Sequence, residues 1–149
     1  MSAGLEEISR RVGALVAAEV ASFEAVGSRV VDAPPDLAGL FAGISCHHAW
    51  RAHQLREHLF PLGGYQVDDF VVLSGDFAAI LGTLEGAETP MEAAAVVRDE
   101  LLVALSAMIG DTRAVCGLVA DAPLLRTLDL VEFDLLRDKA NATPQQPAP

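Results

Sequence analysis

The chain has 149 residues, of which 52% are hydrophobic and only 5% aromatic, and its formal net charge is −11. That length is enough for one domain to bury a core without disulfides or a structural metal, so fold stability implies no cofactor. The acidic balance leaves no basic stripe to follow a phosphate backbone, and the apolar runs are broken by charge well short of about 18 residues, which excludes nucleic acid and a membrane span as readings.

A core of Ala, Leu and Val without strand-type alternation points to an all-α fold. Glu6 and Glu7 stand where a signal peptide would carry basic residues, and Cys46 and Cys116 are far apart and in no CxxC spacing. A cytoplasmic protein with reduced thiols in or near the core is the expectation.

In chain order, the segment from about Gly4 to Val31 reads as a first helix that stops before Asp32-Ala-Pro-Pro, because successive prolines end one helix and can open the next. The second runs from Leu37 to Phe60 and stops at Pro61-Leu-Gly-Gly, and the tight connection between the two makes them antiparallel neighbours. Tyr65 to Gly86 predicts one short crossover helix, beginning at Asp69 and weakened by Gly75. Thr89-Pro90-Met91-Glu92 supplies a cap, a first-turn proline and an early acid, so the fourth helix starts there and runs to about Gly117. The fifth follows Asp121-Ala-Pro along the seam Leu124, Leu128, Val131 and Leu135 and frays near Asn141. Residues 1–141 then form a single domain, and 142–149 form a Pro-rich disordered tail.

Two seams are interrupted by polar residues. On the first helix, Leu5, Ile8, Val12, Leu15, Phe23, Val26 and Val30 share a face with Glu19 at its centre. On the second, Leu37, Phe41, Ile44, Leu55 and Leu59 enclose His48 and Arg51. These three residues are expected to meet in the core, with Glu132 at the margin of the fifth helix's buried face. Asp138, Asp99, Glu6 and Glu7 read as solvated faces, Met91 and Met108 as core filling, and His53 as a surface histidine. His58 reads as a cap on the last carbonyls of its helix, and Trp50 as packing at the edge of the buried stripe.

Helix order and connection lengths over roughly residues 10 to 140 resemble the ferritin-like superfamily, most of all its bacterial branch similar to tRNA-modifying di-iron hydroxylases. The local matches are Glu19-Val-Ala-Ser-Phe23, Leu55-Arg-Glu-His-Leu59 with Leu62-Gly63, and Phe70-Val-Val-Leu leading to Thr89-Pro90. The resemblance implies an up-down four-helix bundle with a crossover between the second and fourth helices. It also implies a di-metal centre built from a Glu on each of two helices and Glu-x-x-His on the other two. Glu19 fits the first Glu. The Glu-x-x-His slot of the second helix falls on His48-Ala-Trp-Arg51, the fourth helix has no central acid, and the fifth offers Asp129-Leu-Val-Glu132.

Three functional readings follow. The leading one is an eroded di-metal site in which Glu19, His48, Arg51 and Glu132 form a buried ionic cluster without a cofactor, in a binding or assembly module that pairs into a homodimer or meets another protein. The second is a metal-dependent oxidase or hydroxylase, with iron or another divalent metal on Glu19, His48 and Glu132, joined by His47. The third is a metal-free site in which Glu19 and His48 act as acid and base and Arg51 clamps the carboxylate of a small molecule. The charge argues against carrying over a tRNA substrate.

Overall fold

The computed structural model describes residues 4–144, whose regular elements are all helices, with no strand among them. The helices are α1 (Leu5–Gly27), α2 (Pro35–Arg56), α3 (Val67–Phe70), α4 (Gly75–Glu85), α5 (Pro90–Val96), α6 (Leu102–Val115) and α7 (Ala122–Ala142), with a π-helical turn at Val97–Leu101 joining α5 to α6. None of them is long and apolar enough to cross a membrane. α1 lies against α2 and α6, and α7 lies against the same two, so the long helices close into a ring.

The connections follow local chemistry. Thr89 Oγ1 accepts from Glu92 N–H at 3.1 Å while Glu92 accepts from Glu88 N–H at 2.9 Å, which fixes the start of α5. Gly63 and Gly64 take φ of +58° and +91°, so the chain reverses tightly between Leu62 and Tyr65, whose backbones bond to each other. Gly13 is packed onto the Phe70 backbone, where a Cβ would run into the Phe70 carbonyl oxygen. α3 is thereby seated against the middle of α1.

The crossover departs from the expectation of one helix. It is two, α3 and α4, because Ser74 caps a fresh start by accepting from Phe77 N–H at 3.2 Å, so Gly75 is the first residue of α4 rather than a weak point inside a helix. α1 and α2 end at Gly27 and Arg56, each a few residues early, and the chain continues in turns. The π-helical turn was not foreseen; the Leu102 N–H reaches back to Val97 O, and the consecutive Leu101 and Leu102 are both fully buried. The expected tail falls for the most part, at 145–149, outside the described residues; Ala142 is the last residue of α7.

Seen from the core, the seams of the first, second and fifth helices are right in the main, with named exceptions. Leu5 and Phe23 are 46% and 42% exposed, and the buried arc of α1 passes instead through Ala18, Ser22 and Val26. Met91 is 66% exposed on an open groove with Leu37, Leu40 and Arg98, because it sits in the first turn of α5, before the helix meets its neighbours. The buried apolar side chains form two separate clusters. One, around Val12, Leu15, Leu55, Phe70 and Leu128, lies toward the start of α1; the other, around Val26, Phe41, Phe77, Leu102 and Leu135, lies toward its end.

Candidate functional site

Between the two apolar clusters sits a polar one. α1 supplies Glu19, α2 supplies His47, His48 and Arg51, and α7 supplies Asp134 and Asp138. The i, i+3 spacing of His48 and Arg51 and the i, i+4 spacing of Asp134 and Asp138 stack each pair on one helix face, so three helices converge on one guanidinium.

Arg51 is the centre. Its Nε donates to Glu19 Oε1 at 2.9 Å, and its Nη1 donates to Asp134 Oδ2 at 2.7 Å and Asp138 Oδ2 at 2.8 Å. Glu19, His48 and Arg51 have no solvent exposure at all, and Asp138 has 1%. Burial by itself would lower the guanidinium pKa; the charges and hydrogen bonds of Glu19 and Asp138 more than offset it and hold the group above its ordinary value. Arg51 is therefore a permanent cation in the core.

His48 Nδ1 lies 2.6 Å from Glu19 Oε2 and 2.9 Å from Arg51 Nη2. One nitrogen cannot donate to the carboxylate and accept from the guanidinium at once; the shorter contact assigns the proton to Nδ1, donating to Glu19. His48 Nε2 is then left buried without a partner. His47 Nδ1 meets Asp138 Oδ1 at 2.6 Å while its side chain stays 46% exposed, so it forms the solvent edge of the cluster. Three carboxylates against one guanidinium leave two negative charges in excess before the two imidazoles are counted.

Glu19, His48 and Arg51 meet as the sequence implied. Glu132 does not join them: it pairs with Arg113 at 2.7 Å, and both are partly exposed. At this level α7 faces α2 with Asp134 and Asp138, whereas Glu132 turns toward α6. Asp138, expected on a solvated face, is an inner member of the cluster. The signal was present, since Asp138 continues the seam Val131, Leu135 at the next helical step, and Asp134 precedes it by one turn.

The remaining candidates lie elsewhere. His58 Nε2 meets Thr127 Oγ1 at 2.7 Å and does not cap α2, whose end is closed by the backbone N–H groups of Glu57 and His58. Trp50 is 41% exposed on α2, and His53 is a surface residue as expected. Cys46 is exposed, contrary to expectation, and Cys116 is half-buried with its thiol donating to Thr112 O at 3.2 Å.

The donor set does not suit a di-metal centre. Of the residues the resemblance offers, only Glu19 and His48 come together, and Arg51 occupies carboxylate oxygens that two cations would need. An acid–base site fits no better, since a substrate cannot reach three side chains that have no exposure. No known protein family, curated protein or solved structure matches the chain.

Proposed function

We propose that this chain is a ferritin-like, up-down helical bundle with an eroded di-metal site, in which the Glu19–Arg51–Asp138 ion cluster with His48 fills the core position, and that it acts as a non-catalytic binding or assembly module. The observation that carries the reading is the complete burial of Arg51 with its Nε and Nη1 donating to carboxylates from two other helices. A cation so placed repels a metal ion beside it and satisfies the carboxylates that would have held one. The test is elemental analysis of untagged protein purified without chelator and reloaded with iron, zinc or manganese, beside Glu19→Ala and His48→Ala. No stoichiometric metal, together with lost stability in the variants, is expected; stoichiometric metal abolished by both substitutions overturns the reading.

One observation favours the metal-dependent alternative. His47, Asp134 and Asp138 each offer a ligand atom, all within 4.8 Å of one another, at the solvent edge of a cluster with excess negative charge. The same reloading experiment on Asp134→Asn, a residue outside the Glu19–His48 contact, separates that site from one on Glu19 and His48.

A further inference from the structure

The outer face of α7 carries a group of large apolar side chains. Leu130, Phe133 and Leu136 are 58%, 65% and 53% exposed, and at about 100° per residue the two leucines fall some 60° to either side of Phe133. Three large apolar side chains thus share one face of a helix whose opposite face builds the core. Scattered apolar residues need no explanation, but a centred group does.

The charges around this face are also distinctive. Arg10, Arg11, Arg51, Arg56, Arg98 and Arg113 each have a carboxylate partner, and Arg29 donates to the Ala87 carbonyl. Among the described residues, Arg126, Arg137 and Lys139 have no hydrogen-bonded or ion-paired partner; all three lie on α7, and Arg126 and Arg137 flank the apolar group. In a chain of net charge −11, this is the place where a like-charged copy can approach.

We propose that the α7 face centred on Phe133 is a homodimer interface in which two α7 helices pack antiparallel about a two-fold axis at Phe133. A two-fold contact makes a patch meet itself, so a residue k positions before Phe133 comes level with the one k positions after it in the second copy. Phe133 then meets its own copy, Leu130 and Leu136 of the two copies lie level on either flank of the Phe133 pair, and Asp129 comes level with Arg137 within reach of its long side chain. The sequence is self-complementary about that axis, apolar on apolar and acid on base. Asp129 remains available, because it spends one oxygen on Arg113 and its side chain is 71% exposed. The reverse arrangement, two parallel α7 helices in line, would place Arg137 beside Arg137 and lose both pairs.

The dimer rests on the assembly part of the function proposed above and not on what fills the core. A monomer would refute the interface and leave the ion cluster standing, whereas metal in the core would do the opposite.

Sedimentation equilibrium of the full chain at tens of micromolar tests the proposal. The wild type is expected at twice the chain mass. Phe133→Glu is expected to weaken association by at least ten-fold while the helical circular dichroism is unchanged, as suits a side chain already mostly in solvent. Arg137→Glu is expected to weaken it, and the double variant Asp129→Lys with Arg137→Glu to restore it, because the swap rebuilds both pairs with opposite sign. A wild type that stays monomeric overturns the proposal and leaves the face to a different protein. So does a dimer indifferent to both Phe133→Glu and Arg137→Glu.

Discussion

Replacing Arg51 with Met keeps most of the side-chain volume and removes the charge. Three carboxylates, Glu19 and Asp138 fully buried and Asp134 mostly so, then lose the donor they share. Hydrogen bonds to charged groups contribute about 1.5–3 kcal/mol each, but His48 still serves Glu19 and His47 still serves Asp138, so the loss is smaller than three such bonds. Breaking a buried ion pair on one side costs about 3–5 kcal/mol, which is the expected loss here. For a domain stabilised by roughly 5–15 kcal/mol this is about a fifth of the total or more. Urea unfolding followed by circular dichroism should show a lower midpoint with an unchanged slope, and melting about 10 °C lower. The decisive companion is the variant in which Glu19, His48, Arg51, Asp134 and Asp138 are all made apolar, because removing a whole buried cluster can be neutral or even stabilising. An Arg51→Met protein within about 0.5 kcal/mol of wild type, the range of ordinary surface changes, would refute the picture of a buried, shared guanidinium.

Other predictions concern separate parts of the fold. Gly13→Ala should destabilise by about 2 kcal/mol or more, since its Cβ has no room against the Phe70 backbone, whereas Gly39→Ala, with open space around it inside α2, should stabilise by about 0.5–1 kcal/mol; equal effects in urea titrations would contradict both. Burial beside Thr127 pushes the His58 pKa below the usual histidine value, a little countered by Glu57. The folded state therefore binds that proton less readily than the unfolded one, so this contribution is complete above the unfolded pKa and fades as pH falls through the lowered folded value. An NMR titration should place His58 below the usual histidine value, and His58→Gln should flatten the loss of stability on acidification. Thiol labelling should modify exposed Cys46 quickly and Cys116 slowly, because desolvation and then Asp121 raise the Cys116 pKa; equal rates would show that the end of α6 opens readily.

Much of this was readable from periodicity. Leu128, Val131 and Leu135 on α7, and Phe41, Ile44 and Leu55 on α2, are buried as their spacing requires, and Glu19, His48 and Arg51 stand out because they interrupt such seams. Asp138 was misread because a carboxylate after the last obvious seam residue looks solvated until a cation from another helix is placed opposite it. Pairing between helices is a tertiary fact, and no helical period carries it. Glu132 shows the converse: its position at a seam margin was legible, but its partner Arg113 on α6 was not. The π-helical turn leaves no mark in the residues Val97 to Leu101, since it arises from how Leu101 and Leu102 share the core rather than from a breaker.

Helices rich in Ala, Leu and Val can slide along one another at modest cost, because one aliphatic side chain fills the place of another. Between the two apolar clusters of this protein, sliding is not modest. A shift of α2 by one turn, about 5.4 Å, would carry Arg51 away from Glu19, Asp134 and Asp138 together and set a bare guanidinium against leucines. The three helices therefore share a single admissible register, set at one point midway along the bundle, and the aliphatic packing on either side takes its alignment from there.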